Sequence, residues 1–149
     1  MSNRALFERL KVRREHLMVT RTPRFLLAFS SFLSALGGAI HAAAFGKAQT
    51  VFGSSNLPHF YAGSSKALWL SDSATLFIVA VIYGVLAARS STTTRPIVML
   101  VALIPASTAV LLYTFLGNFF AGHLLLAIAV LGLLAGIRFP TVSNATERA

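Results

Sequence analysis

The chain has 149 residues, of which 56% are hydrophobic and 11% charged, with a mean hydropathy of +0.73. A soluble domain of this size would carry about a quarter charged residues, so an ordinary water-facing surface is excluded. The net charge of +9 crowds beside apolar runs and lacks the aromatic interleaving of a single-strand binder, which argues against nucleic acid as a partner.

Residues 1–24 form a basic arm holding seven of the 13 Lys and Arg residues: Arg4, Arg9, Lys11, Arg13, Arg14, Arg21 and Arg24. Ala5, Leu6, Phe7, Leu10, Leu17 and Met18 recur among them at roughly helical spacing, which fits an amphipathic helix on an anionic membrane surface. Basic groups there are each attracted to anionic lipid headgroups by about 1 kcal/mol. A basic tail that only sets orientation is the plainer reading of the same residues.

The first apolar run, 25–45, carries Ser30, Ser34, Gly37 and His41 at steps of four, three and four. That spacing places them on one helical face, and small residues there let another helix approach closely in lipid. His41 either tops a pocket on this face or bonds a neighbouring carbonyl inside a packing groove. The basic start followed by Ala42-Ala43-Ala44 also resembles a cleavable leader, but the basic region is long and the apolar run exceeds a usual leader core.

Residues 46–66 read as a loop rich in Gly, Ser and Asn around Pro58, with Phe52, Phe60 and Tyr61 suited to a membrane boundary. The second run, 67–88, opens Leu68-Trp69-Leu70-Ser71-Asp72-Ser73. Asp72 is the only acidic residue between Glu15 and Glu147. It either caps this helix or lies more than a turn inside it, paired or functional.

The third run, 96–116, has Pro105 near its middle, where a kink is expected, with Ser107 and Thr108 placed to satisfy freed backbone groups. Gly117-Asn118 separates it from the fourth run, 119–137. The glycine is expected to stop one helix and Asn118 to cap the next. In the fourth run Gly122, Ala129, Gly132 and Gly136 make a small-residue stripe, with His123 about 100° around the helix from it. Residues 138–149 form a short tail.

The four runs have 21, 22, 21 and 19 residues, against the ~20 a helix needs to cross the hydrocarbon core. No stretch alternates as a barrel strand would. The expected fold is therefore all-α, an integral membrane antiparallel four-helix bundle, and no segment outside it could hold a soluble catalytic domain. With both termini cytoplasmic, eleven basic residues lie inside and two, Lys47 and Lys66, outside. This positive-inside bias points to a multi-pass protein of the cell inner membrane.

In that topology His41, Asp72 and His123 all fall about 6–9 Å below the outer boundary at ~1.5 Å per residue, and Tyr113 reaches a similar level. A shared outer-side pocket follows as an expectation, because ionisable groups at that depth face an interior, a partner or a pathway. The absence of cysteine excludes an iron–sulfur cluster, covalently attached haem and a cysteine nucleophile. The pocket would bind a lipid-soluble ligand or cofactor, a quinone or isoprenoid for instance, or a haem held by His41 and His123. A facial triad of two His and one Asp is chemically conceivable, but no H-x-x-H or E-x-x-H spacing supports a metal. Two other classes remain open: an accessory subunit of a larger membrane complex, and a small oligomeric transporter, for which no inverted repeat is evident.

Overall fold

The computed structural model describes residues 3–89, 93 and 95–139, and for 3–20 the helical backbone. Five helices follow in order: α1 (Asn3–Ala43), α2 (Phe45–Ser54), α3 (His59–Ala88), α4 (Arg95–Leu116) and α5 (Phe120–Arg138). Four are long and apolar enough to cross a membrane, the stretch Arg21–Ala43 of α1 together with α3, α4 and α5. The basic arm continues without interruption into the first span, through Pro23. The tail beyond residue 139 and positions 90–92 and 94 lie outside the described residues.

α1 packs along both α3 and α5, α4 packs along α5, and α3 touches α4 only briefly. The bundle is thus a ring in the order α3–α1–α5–α4, with α3 and α5 on one diagonal and a loose closing seam. The core runs down its axis through Leu27, Val79, Tyr83, Val98 and Ile128, all essentially inaccessible. Large apolar side chains such as Phe32, Ile78, Val81, Leu100, Leu103 and Val110 point outward. An inside built from small residues and an outside built from large apolar ones suits lipid as the surrounding solvent.

The stretch 46–66, expected to be a loop, is mostly helical. α2 occupies its first half, and α3 begins at His59, eight residues before the expected start. Local chemistry accounts for this. Pro58 has φ −51°, and proline just before a helix fixes that angle without losing a needed donor. Ser54 and Ser55 donate to the Val51 and Phe52 carbonyls at the end of α2, and Ser55 then turns extended.

Two expected caps also change. Asp72 lies 13 residues after the first residue of α3, so it is no N-cap. Asn118 does not cap α5 either: Phe119 holds that position without a side-chain bond. Gly117 does stop α4, with φ +68° and its N–H on the Tyr113 carbonyl at 3.2 Å, the left-handed termination open to glycine. Pro105 is buried within α4, and both Ser107 and Thr108 donate to the Ile104 carbonyl. That is not the Val101 carbonyl, the one the proline ring leaves without an N–H partner.

Candidate functional site at the α2 end of the bundle

The break between α1 and α2 at Ala44 takes the His41 carbonyl out of the helical ladder, and a side chain replaces the lost donor. Trp69 Nε1–H donates to that oxygen at 2.8 Å. In return the His41 ring stacks on the Trp69 ring, centroids 4.3 Å apart and planes 13° from parallel. His41 Nδ1 lies 2.9 Å from Ser73 Oγ, and Ser73 Oγ–H donates to the Trp69 carbonyl at 3.3 Å. The Ser73 hydroxyl can accept from His41 Nδ1–H while donating to the Trp69 carbonyl, or donate to Nδ1 itself, according to the imidazole tautomer. Phe52 of α2 closes edge-on over Trp69 at 6.3 Å, and Ala48 is buried where α2 folds against α3.

A second pair forms on the other side of the ring. His123 Nδ1 donates to the Phe119 carbonyl at 3.0 Å. A carbonyl only accepts, so this imidazole carries a proton on Nδ1, and Nε2 is the ring nitrogen left for another partner. Tyr113 meets the His123 ring edge-on at 5.5 Å, and its own ring lies against Gly122, where an added methyl would come within 3.2 Å. From His123 an apolar groove of about 440 Å³ runs between α5 and α1, lined by Phe29, Leu33, Leu126, Ala127 and Val130. Phe29, Leu126 and Val130 are exposed, so the groove opens on the outer, apolar side of the bundle.

The four sequence-predicted residues therefore arrive as two pairs of helices. His41 bonds Ser73, the neighbour of Asp72, and Tyr113 contacts His123. Their relative height follows from Gly37, whose position lies against both Leu76 of α3 and Leu124 of α5. His41 is four residues beyond Gly37, about 6 Å further toward α2, while His123 adjoins Leu124. The two pairs thus stand within roughly one helical turn of each other.

Asp72 bonds no described residue and is exposed, yet it continues the inward stripe of Leu76, Val79 and Tyr83 at spacings of four, seven and eleven. Among the described residues no three His, Cys, Asp or Glu side chains gather as a metal-holding group.

Trp69 and Ser73 carry more of this site than their sequence context suggested. Trp69 reads as an interface marker and Ser73 as part of a polar opening. The available signal was their four-residue separation, which stacks them on one face toward a helix bearing a histidine.

Site and fold together define an all-α bundle of four potential spans whose polar side chains gather toward the α2 end. Comparison with known protein families, curated proteins and solved structures gave no match.

Proposed function

We propose that this protein binds a lipid-soluble ligand at the α2 end of the bundle. In this reading the protein crosses the inner membrane four times with both termini cytoplasmic, and the α2 end faces the other side. One observation carries it: His123, its ring held by the Phe119 carbonyl, stands at the mouth of an apolar groove that opens toward the bilayer. An apolar lining with one placed polar group is the usual composition of a small-molecule site. The matching ligand has a hydroxyl, which can donate to or accept from Nε2, and an apolar body, as a quinol or a polyprenol does.

His41 supplies the frame on the adjacent seam, and Asp72 and Tyr113 flank the α2 end. A haem held by both histidines is less favoured, because His41 turns toward α3 and His123 toward α4 and the groove. Transport is also less favoured, since Leu76 and Leu124 fill the interior at Gly37.

Native mass spectrometry and organic extraction of the detergent-purified protein test the proposal. An apolar hydroxyl compound, enriched over bulk lipid, is expected with the native chain and lost in both His123→Ala and Leu126→Trp. Equal recovery from all three would overturn it, and a Soret band would move the assignment to haem.

A second reading rests on the brief contact between α3 and α4, a seam that a helix of a larger complex could complete. Stable co-purification of a partner, lost on bulky substitution along that seam, would favour an accessory subunit.

A further inference from the structure

Two hydroxyls in the middle of the bundle have no hydrogen-bond partner among the described residues: Ser30 Oγ on α1 and Tyr83 Oη on α3. Both residues are 0% exposed. Bulk solvent does not bathe groups at such a depth, so leaving them unpaired is costly in a membrane interior.

The two oxygens stand at a similar height in the bundle. Tyr83 extends across the diagonal until its Oη lies against Gly132 of α5, in a notch that a methyl group would fill. Ser30 sits a heptad before Gly37 and shares its face. Gly37 lies against Leu124, and α1 and α5 run antiparallel, so seven residues back on α1 corresponds to seven forward on α5. Ser30 is therefore level with Leu131 and Gly132. The neighbouring Ser31 fixes the same height on α3: its hydroxyl donates to the Ala80 carbonyl at 2.7 Å and lies against Gly84.

We infer that Ser30 and Tyr83 form a binding seat for one buried water molecule, which bridges α1 and α3 beside Gly132 at mid-membrane. Water is the ligand that fits two hydroxyls: it can donate to one and accept from the other.

The seat is closed at both ends. Leu76 and Leu124 fill the interior toward α2, and Leu27, Val98, Ala135 and Phe139 fill it toward the other end. The water is a structural bridge and not a link in a conducting path.

Thermal unfolding of the full chain in detergent tests the inference with Tyr83→Phe, Ser30→Ala and the double variant. Each single change is expected to lower Tm by roughly 2–5 °C, and the double change to lower it no further than the worse single one, because either loss releases the same water. A Tm that is unchanged or raised in Tyr83→Phe, or losses that simply add, would overturn it. Water-to-protein magnetisation transfer in the unsubstituted protein gives a second readout, free of folding effects. A cross-peak from a long-lived water to the Tyr83 ring supports the seat, and its absence overturns it.

Discussion

The α1–α3 seam and the α4–α5 seam solve the same problem by different chemistry. α1 and α3 are tied by side chains that reach the opposite backbone: Arg24 Nε to the Ala87 carbonyl at 3.2 Å, Ser31 to Ala80 and Trp69 to His41. No polar tie of this kind links α4 to α5 among the described residues. There three glycines bring the helices together, Gly122 against Tyr113, Gly132 against Ala102 and Gly136 against Met99. Lipid tails are as apolar as leucine, so burial of apolar surface does not drive helices together in a membrane. Close packing and interhelical hydrogen bonds are what remain, and this bundle assigns one to each seam.

The comparison also separates the two histidines. His41 belongs to the polar seam and is engaged on three sides by Trp69 and Ser73. His123 belongs to the close-packed seam, is exposed, and touches only its own helix and Tyr113. His41 is thus held by contacts to α3, whereas His123 is exposed and lines the groove.

The contrast can be broken most forcefully at Gly132. In Gly132→Ala the new methyl meets Ala102 Cβ at 3.0 Å and collides with the Tyr83 hydroxyl, so overpacking should cost about 1–3 kcal/mol, measured by reversible unfolding in detergent–SDS mixtures. Gly136→Ala should behave similarly, softened by the flexible Met99 side chain. A smaller loss is expected at the polar seam. Trp69→Phe keeps a ring against His41 but leaves its carbonyl without the indole donor, a cost of about 1 kcal/mol, accompanied by faster amide exchange at the α1–α2 junction.

Ser31→Ala should cost less still, about 0.6 kcal/mol, the average found for interhelical hydrogen bonds in membranes. If it equalled Gly132→Ala, the division of labour between the seams would be wrong. Least of all should come from Asp72→Asn. An exposed carboxylate without an ion pair among the described residues should change stability by no more than ~0.5 kcal/mol. Its effect on ligand recovery then reports on the site alone, and an unchanged recovery would remove Asp72 from the proposed mouth.

Much of the site was legible as a list of residues and little of it as contacts. His41, Asp72, His123 and Tyr113 stand out because ionisable and phenolic groups are scarce in apolar runs, and the inward face of α1 follows from its four-three-four spacing. The pairing of His41 with Ser73, in contrast, depends on the rotation of α3 about its axis, which no local pattern specifies. The helicity of 46–66 was hidden because Gly, Ser and Asn normally signal loops. Burial of Ala48 and the Phe52–Trp69 contact outweigh those weak preferences. Tyr83 shares the face of Asp72 at a spacing of eleven, but an unpartnered hydroxyl shows itself only when all its neighbours are placed.

The amino-acid order alone determined the four membrane-length helices, the tight link between α4 and α5 and the glycine stop at Gly117, because these depend on hydropathy over about twenty residues and on backbone freedom at single positions. Tertiary structure alone decided which helices touch, which histidine is clasped and which is open, and where two hydroxyls stand without partners. Those outcomes depend on axial rotation and register between helices far apart in the chain, and in lipid they are selected by packing complementarity.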